Sequence, residues 1–216
     1  MTRDVTSYNA YAQIQKQPEE LARLLNADEP IAAAAHVLGK ATRVFTAGIG
    51  TAFNEALTAA WLLRAAGIDT QAWQSSDFVQ YGPDLRSDDA ALVFSHTGNK
   101  SASRDVLARL RKARVTTVWI AGTEAEENPA DIILRGVSPE TAAPYTVSHT
   151  AAMLLAARVA DTIAPGAIGD LTAIPSAIHD ALGHEPAARE LAAAWSDIGA
   201  IIAVGAGPHE ASALEA

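Results

Sequence analysis

Arg43-Val44-Phe45-Thr46-Ala47 is a short β-rich run. It passes straight into Gly48-Ile49-Gly50-Thr51 and then into a long helix-forming segment, Ala52 to Ala66, closed by Gly67. β-Branched and aromatic residues suit a pleated strand, paired glycines permit a sharp turn, and the alanine- and leucine-rich stretch that follows resists a helix at few positions. The unit is strand, glycine turn, helix. Four further runs of strand length follow at 70–74, 90–95, 115–121 and 132–134, with helices expected at 101–113, at 124–128 as a short piece, and at 148–163. None of the runs alternates polar with apolar residues as a half-exposed strand does, so they read as buried parallel strands covered by crossover helices on both faces. The expected fold is α/β, a three-layer α-β-α sandwich around a five-stranded parallel sheet, whose ligands gather at the carboxyl ends of the strands.

Outward from this block, the first forty residues read as a helical lead-in. Gln17-Pro18-Glu19-Glu20 places a proline near a helix start, Leu21, Leu24 and Leu25 follow at helical spacing, and a second run through Ile31, Ala34, Ala35 and Leu38 ends at Gly39. Downstream, Pro175 to Ala194 is helical, and Ala200-Ile201-Ile202-Ala203-Val204 then runs into Gly205-Ala206-Gly207. This second strand-like run repeats the first. Gly48 and Gly50 recur as Gly205 and Gly207, and Ala56 and Leu57 are matched by Ala213 and Leu214 at the same offset. The expected organisation is a first domain over 1–190, helical lead-in included, and the start of a second, truncated domain over 191–216.

The 216 residues can support a sizeable core. The hydrophobic share of 49% needs discounting, because 48 residues are alanine and so contribute little bulk. A formal net charge of −9 disfavours a nucleic-acid surface, which requires a basic face; Trp61 and Trp73 have no interleaved basic residues and read as core or interface aromatics. With no cysteine there is no disulfide, thiolate or Cys-ligated metal chemistry, in keeping with a reducing cytoplasm. Met1-Thr2-Arg3-Asp4 opens no targeting segment, and the apolar run Ala151 to Ala157 stops at Arg158, far short of the ~20 residues a membrane span requires. A soluble, cytoplasmic chain with no membrane partner is expected.

The most informative chemistry lies in Ser95-His96-Thr97-Gly98-Asn99-Lys100-Ser101, at the junction of a buried strand and a helix. Hydroxyls at alternate positions, a glycine that turns the backbone and free amides at a helix start form an anion cradle suited to a phosphate monoester, with Lys100 adding charge if it points inward. The plainer reading is an ordinary capped helix start. Gly48 and Gly50 meet only part of a dinucleotide fingerprint, because Phe53 stands where a third glycine belongs. No metal site is expected from His149, His179, His184 and His209, which lack metal-ligand spacing, and the acids Glu124, Glu126 and Glu127 read as a solvated helix start.

These residues resemble the sugar isomerase (SIS) domains, and among them the tandem-domain sugar-phosphate proteins of the type of the isomerase half of glucosamine-6-phosphate synthase. Gln17-Pro18 is similar to the Gln-Pro of the family's lead-in helix, Gly50-Thr51-Ala52-Phe53 to its Gly-Thr-Ser-Tyr turn, and Ser95-His96-Thr97-Gly98 to its Ser-x-Ser-Gly phosphate loop. Glu140 to Thr146 falls where a Glu followed by a Ser-Thr pair is usual. The resemblance implies a flavodoxin-like SIS fold. It also implies that Ser95, Thr97 and the amides from Gly98 through Asn99 to Lys100 hold the phosphate of a hexose 6-phosphate. Gly50, Thr51 and Ala52 then lie near the sugar, with His96 inside the loop. Departures stand at Lys100, where a hydroxyl is common, and at Ala52 and Tyr145, where a serine is usual. No cofactor is implied, and homodimers with sites between subunits are.

Aldose–ketose chemistry moves a proton between adjacent carbons and needs a base there. Glu140 is one candidate, against its plainer reading as an acid favoured by a helix dipole. His96, inside the loop, is a second catalytic candidate as a hydrogen-bond donor to the substrate, against its reading as a loop histidine bonding backbone. In synthase-like relatives the acid–base residues come from the second domain and the dimer partner. The expected function is a phosphosugar-binding domain of a sugar-phosphate isomerase or aminosugar-phosphate isomerase, aminotransferase or deglycase, the alternative being a non-catalytic sugar-phosphate sensor.

Overall fold

The computed structural model describes residues 4–125, 130–142 and 144–216. Five strands, β1 Val44–Gly48, β2 Thr70–Gln74, β3 Ala90–Phe94, β4 Thr116–Ala121 and β5 Ile132–Arg135, form one sheet in the order β2-β1-β3-β4-β5, every pair parallel. β1 and β3 are buried along their whole length; Thr46, the one polar residue in them, donates its hydroxyl to the Ala56 carbonyl at 2.7 Å. Alternate residues feed two cores on opposite faces. Val44, Leu92, Phe94, Val118 and Leu134 pack with helices α1 Asn9–Leu25, α2 Ile31–Lys40, α3 Thr51–Ala65 and α6 Val147–Ile163. Phe45, Val93 and Trp119 pack with α4 Ser75–Tyr81 and α5 Ser101–Lys112. The expected three-layer α/β sandwich is the observed fold.

The lead-in differs from its expectation. Pro18 lies inside α1 rather than at a helix start. Proline has no N–H for the carbonyl four residues back; here the Gln17 side-chain amide donates to that oxygen of Ile14 at 3.3 Å, so the helix continues. The stretch 175–194 is two helices, α7 Ile174–Leu182 and α8 Glu185–Ala194, separated at Gly183 and His184. Most of the helix expected at 124–128 falls outside the described residues, Glu126 and Glu127 with it, while Glu124 sits in a turn. Helix α4 was not expected, since seven residues with buried Ser75 and Phe78 show too little periodicity to read.

The repeat is visible in the backbone. A Cβ on Gly48 would stand 2.0 Å from the carbonyl oxygen of Ala52, and one on Gly205 would stand 2.1 Å from that of His209; Gly50 and Gly207 have φ of +61° and +60°. Both turns therefore require the glycine pair for the same two reasons, a close backbone approach and a left-handed residue. The second leads into α9 His209–Glu215, which packs on α3. Ala200–Val204, expected as a strand, pairs with no strand among the described residues and leaves Ile201, Ile202 and Val204 exposed, because a strand exists only where a neighbour accepts its hydrogen bonds.

Candidate functional site

Chain direction reverses between β1 and β3: the connections run outward to β2 on one side and to β4 and β5 on the other. At such a switch point the helices leave on opposite faces and a crevice opens at the strands' carboxyl ends. Here the crevice is walled by the Gly48–Thr51 turn into α3 and by the Ser95–Lys100 loop into α5.

The second loop is built around open donors. No side chain caps α5, so the first-turn amides have no intrahelical acceptor and point outward. Gly98, with φ +72°, turns the chain toward them. Ser95 is fixed from below by Trp119, whose Nε1–H donates to the Ser95 carbonyl at 3.1 Å. Thr97 donates its hydroxyl to Asn99 Oδ1 at 2.6 Å, which shapes the loop and ties up both side chains. The His96 ring sits 6.0 Å from that of Tyr145 and is buried enough that its pKa is lowered, Glu140 partly opposing the shift.

Thr51, Ala52, Ser95, His96, Thr97 and Lys100 line a cavity of about 70 Å³ at the crevice floor, together with Glu55, Ser103, Tyr145 and Ser148 and the apolar Ile49 and Phe94. A second space of about 10 Å³ lies beyond His96, also against Glu55 and Ser148. Two polar atoms at this cavity, His96 Nε2 and Ser103 Oγ, are buried with no partner among the described residues. Buried polar groups nearly always find partners, so this pair marks where a polar ligand would complete the structure.

Glu55, on α3, is buried, and its carboxyl is pushed up to about 7 by desolvation; His149 opposes the rise and Glu215 adds to it. His149 Nδ1, on α6, stands 3.4 Å from Glu55 Oε1, within ion-pair range but without the geometry of a hydrogen bond. Burial alone would lower the imidazole, but Glu55, Glu215 and Glu140 carry it above its ordinary value. Glu215, from α9, accepts from Thr51 Oγ1 at 2.9 Å and from Asn54 Nδ2 at 2.6 Å, placing a carboxylate at the uncapped start of α3, where the helix dipole favours it.

Solved structures share this architecture. The C-terminal domain of glucosamine-fructose-6-phosphate aminotransferase from Francisella tularensis superposes over all of this chain and 67% of its own, with a TM-score of 0.81 at 17% identity. The chain has the fold of the sugar isomerase (SIS) domains. Glucosamine-6-phosphate deaminase from Thermotoga maritima matches 96% of this chain and 64% of its own, with a TM-score of 0.70 at 22% identity. An Escherichia coli CFT073 protein solved with arabinose 5-phosphate matches 75% and 92%, with a TM-score of 0.62 at 14% identity. In sequence, the glutamine–fructose-6-phosphate aminotransferases of Methanothermobacter thermautotrophicus and Pyrobaculum aerophilum are 23% identical over 94% of this chain and 27% identical over 84%. The chain spans about a third of the length of these curated relatives, 35% and 29%. No family model matches it.

Within this SIS fold the sequence-predicted residues separate into two groups. Thr51, Ala52, Ser95, His96, Thr97 and Lys100 meet at one cavity; Gly50, Gly98 and Asn99 shape its two loops without lining it. Glu140 stands apart. Thr146 and Ser148 each donate a backbone amide and a hydroxyl to its carboxylate, which fixes the start of α6. Burial pushes that carboxyl up, but these four donors outweigh it and hold it below its ordinary value. In the structure Glu140 is an acid at the start of α6 that does not line the cavity. Sequence reasoning missed Glu55, His149 in this role and Ser103; the one available signal was an acid in the first turns of the helix that follows the glycine turn. Among the described residues no group of three or more His, Asp or Glu side chains is arranged to hold a metal ion, and no helix is long and apolar enough to cross a membrane.

Proposed function

We propose that this SIS domain binds a sugar phosphate of the hexose 6-phosphate class and serves a sugar-phosphate isomerase, or an aminosugar-phosphate isomerase, aminotransferase or deglycase, in aldose–ketose type chemistry. The observation that carries the reading is the open start of α5 beside Ser95, Thr97 and Lys100, facing a cavity that holds two orphaned buried polar atoms. Uncapped amides, the Ser95 hydroxyl and an ammonium group form a receptacle for a phosphate dianion, in a loop whose shape Thr97 and Asn99 fix. The sugar then extends toward Thr51, Ala52 and Glu55. The relatives named as glutamine–fructose-6-phosphate aminotransferases and the structural neighbour named as a glucosamine-6-phosphate deaminase support the hexose 6-phosphate class, and the neighbour solved with the pentose phosphate arabinose 5-phosphate supports sugar-phosphate binding more broadly.

Residues 191–216 fit the start of a second SIS unit, supported by the repeated glycine turn, and the exposed Leu191, Trp195, Ile198, Ile201, Ile202 and Val204 suit an interface with more protein, a second copy included. Light scattering on the purified chain reads the oligomeric state directly.

The ligand test is thermal and urea stability in the presence of hexose 6-phosphates. A ligand at one hundred times its dissociation constant adds about 2.7 kcal/mol. Stabilisation by a sugar phosphate, lost in Ser95→Ala, is the expected result; no stabilisation by any of them, or stabilisation indifferent to Ser95→Ala, overturns the reading. Binding together with interconversion of aldose and ketose phosphates marks an enzyme, and binding without it a sensor.

A further inference from the structure

The phosphate loop accounts for one end of a bound sugar phosphate, and Glu140, the acid that the motif pointed to, is spent on α6. The crevice floor holds a different acid. Glu55 lies between the two cavities and lines both, so a ligand anchored at Ser95 and Lys100 extends over its carboxyl. Its carboxyl makes no hydrogen bond to a described side chain or backbone group, and His149 Nδ1 stands 3.4 Å from its Oε1.

We propose that Glu55 is the acid–base group of this site, moving a proton between adjacent carbons of the bound sugar, and that His149 is the positioning residue that holds its carboxyl. This rests on the sugar-phosphate reading above. For an open-chain aldose, one carboxylate oxygen of Glu55 takes the proton from C2 while the C1 carbonyl oxygen gains a proton from solvent, giving the enediol. Glu55 then returns its proton to C1 as the C2 hydroxyl releases its own to solvent, and the C2=O bond of the ketose forms. Protons balance, nothing is oxidised overall, and no co-reactant enters.

The surroundings suit that task. A base working near neutral pH needs a proton affinity well above that of an exposed carboxylate, and desolvation supplies it here. The charged and titratable groups facing the pair come from every side: His149 from α6, Glu215 from α9, His96 from the loop after β3, Lys100 from the start of α5, and Glu140 from the segment before α6. Glu215 and Glu140 favour a proton on the pair, while Lys100 stands on the phosphate side of the cavity.

Two measurements on the full chain test the proposal. The first needs no ligand: carbon-13 NMR of glutamate-labelled protein, with Glu55→Gln for assignment, should show the Glu55 carboxyl titrating near neutrality. His149→Phe should move that titration further up, and His149→Asn should restore part of it. Titration in the ordinary carboxylate range, or indifference to His149, overturns the proposal. The second is proton NMR of glucose 6-phosphate and fructose 6-phosphate in heavy water. Wild type should wash deuterium into C2 and C1, with a rate that falls as pH drops below neutrality. Glu55→Gln should lower that rate roughly 100-fold or more, with sugar-phosphate affinity kept within about threefold. A Glu55→Gln variant that keeps the rate and its pH profile, or a wild type that binds through Ser95 yet exchanges nothing, overturns the proposal and leaves the binding reading standing. A wild type that binds no sugar phosphate overturns both.

Discussion

Replacing Glu55 by glutamine removes the one buried carboxyl whose proton affinity the fold raises most, and its effect on stability has a definite sign. The ordinary value is 4.5 and the folded value about 7. Between them the folded chain keeps a proton that the unfolded chain has released, so stability is fully present below about pH 4.5 and drains away as pH rises through 7. At about 1.4 kcal/mol per tenfold change in proton affinity, the loss by pH 8 is about 3 kcal/mol. His149, also raised, loses its contribution in the same direction at higher pH. Glu55→Gln keeps the side-chain shape and cannot ionise. It should match wild type near pH 4.5 and exceed it by about 3 kcal/mol at pH 8, a displacement on the order of 1 M in the urea midpoint. Making the same change in a His149→Asn background keeps the histidine's titration out of the difference; because His149 pulls Glu55 down, the difference there is at least as large. The measurement is urea unfolding followed by circular dichroism at half-unit steps from pH 4.5 to 8. Wild-type and variant curves that run parallel across that range would refute the desolvation argument, since Glu55 would then ionise as an exposed carboxylate does.

Glu140→Gln should cost about 1 kcal/mol at pH 7, discounted for partial exposure, by weakening four charge-assisted bonds at the start of α6. The cost should vanish as pH falls below the lowered folded value of Glu140, where wild type loses the same stabilisation; an unchanged difference at pH 3 would contradict it. Gly48→Ala forces a methyl group to within 2.0 Å of the Ala52 carbonyl oxygen and should destabilise by roughly 3 kcal/mol; a urea midpoint near wild type would mean that the turn yields more easily than its geometry implies. Trp119→Phe deletes the donor that holds the Ser95 carbonyl, at a cost of about 1–3 kcal/mol for the buried oxygen left unpaired. It should also weaken sugar-phosphate binding severalfold in calorimetry, and full affinity would show that the loop holds its shape without that bond.

Much of the scaffold is local and was legible. Val44–Gly48 and Ala90–Phe94 read as buried strands because their sequences show no alternation of polar and apolar residues, and every residue in them is buried. Gly48 and Gly50 read as a turn because the backbone there admits no side chain at one and requires a positive φ at the other. The hydroxyl-rich loop follows from its place between β3 and α5, and Ser95, His96, Thr97 and Lys100 do meet at one cavity. Where reading failed, the deciding partner was elsewhere. Pro18 sits inside α1 because the side chain of Gln17 serves the carbonyl that proline cannot. Ala200–Val204 has strand composition and, among the described residues, no strand beside it.

The amino-acid order alone determined the parallel sheet, the glycine turns, their repetition and the hydroxyl-rich loop, since each depends on residues within a few positions of one another. Only the tertiary structure decided which acid faces the crevice. Glu140 is drawn into the start of α6 by neighbours six and eight residues away, whereas Glu55 is set against His149 and beside Glu215 by the packing of α3 on α6 and α9. A carboxyl's proton affinity follows from how much water it loses and which charges approach it, and both are properties of the packed molecule.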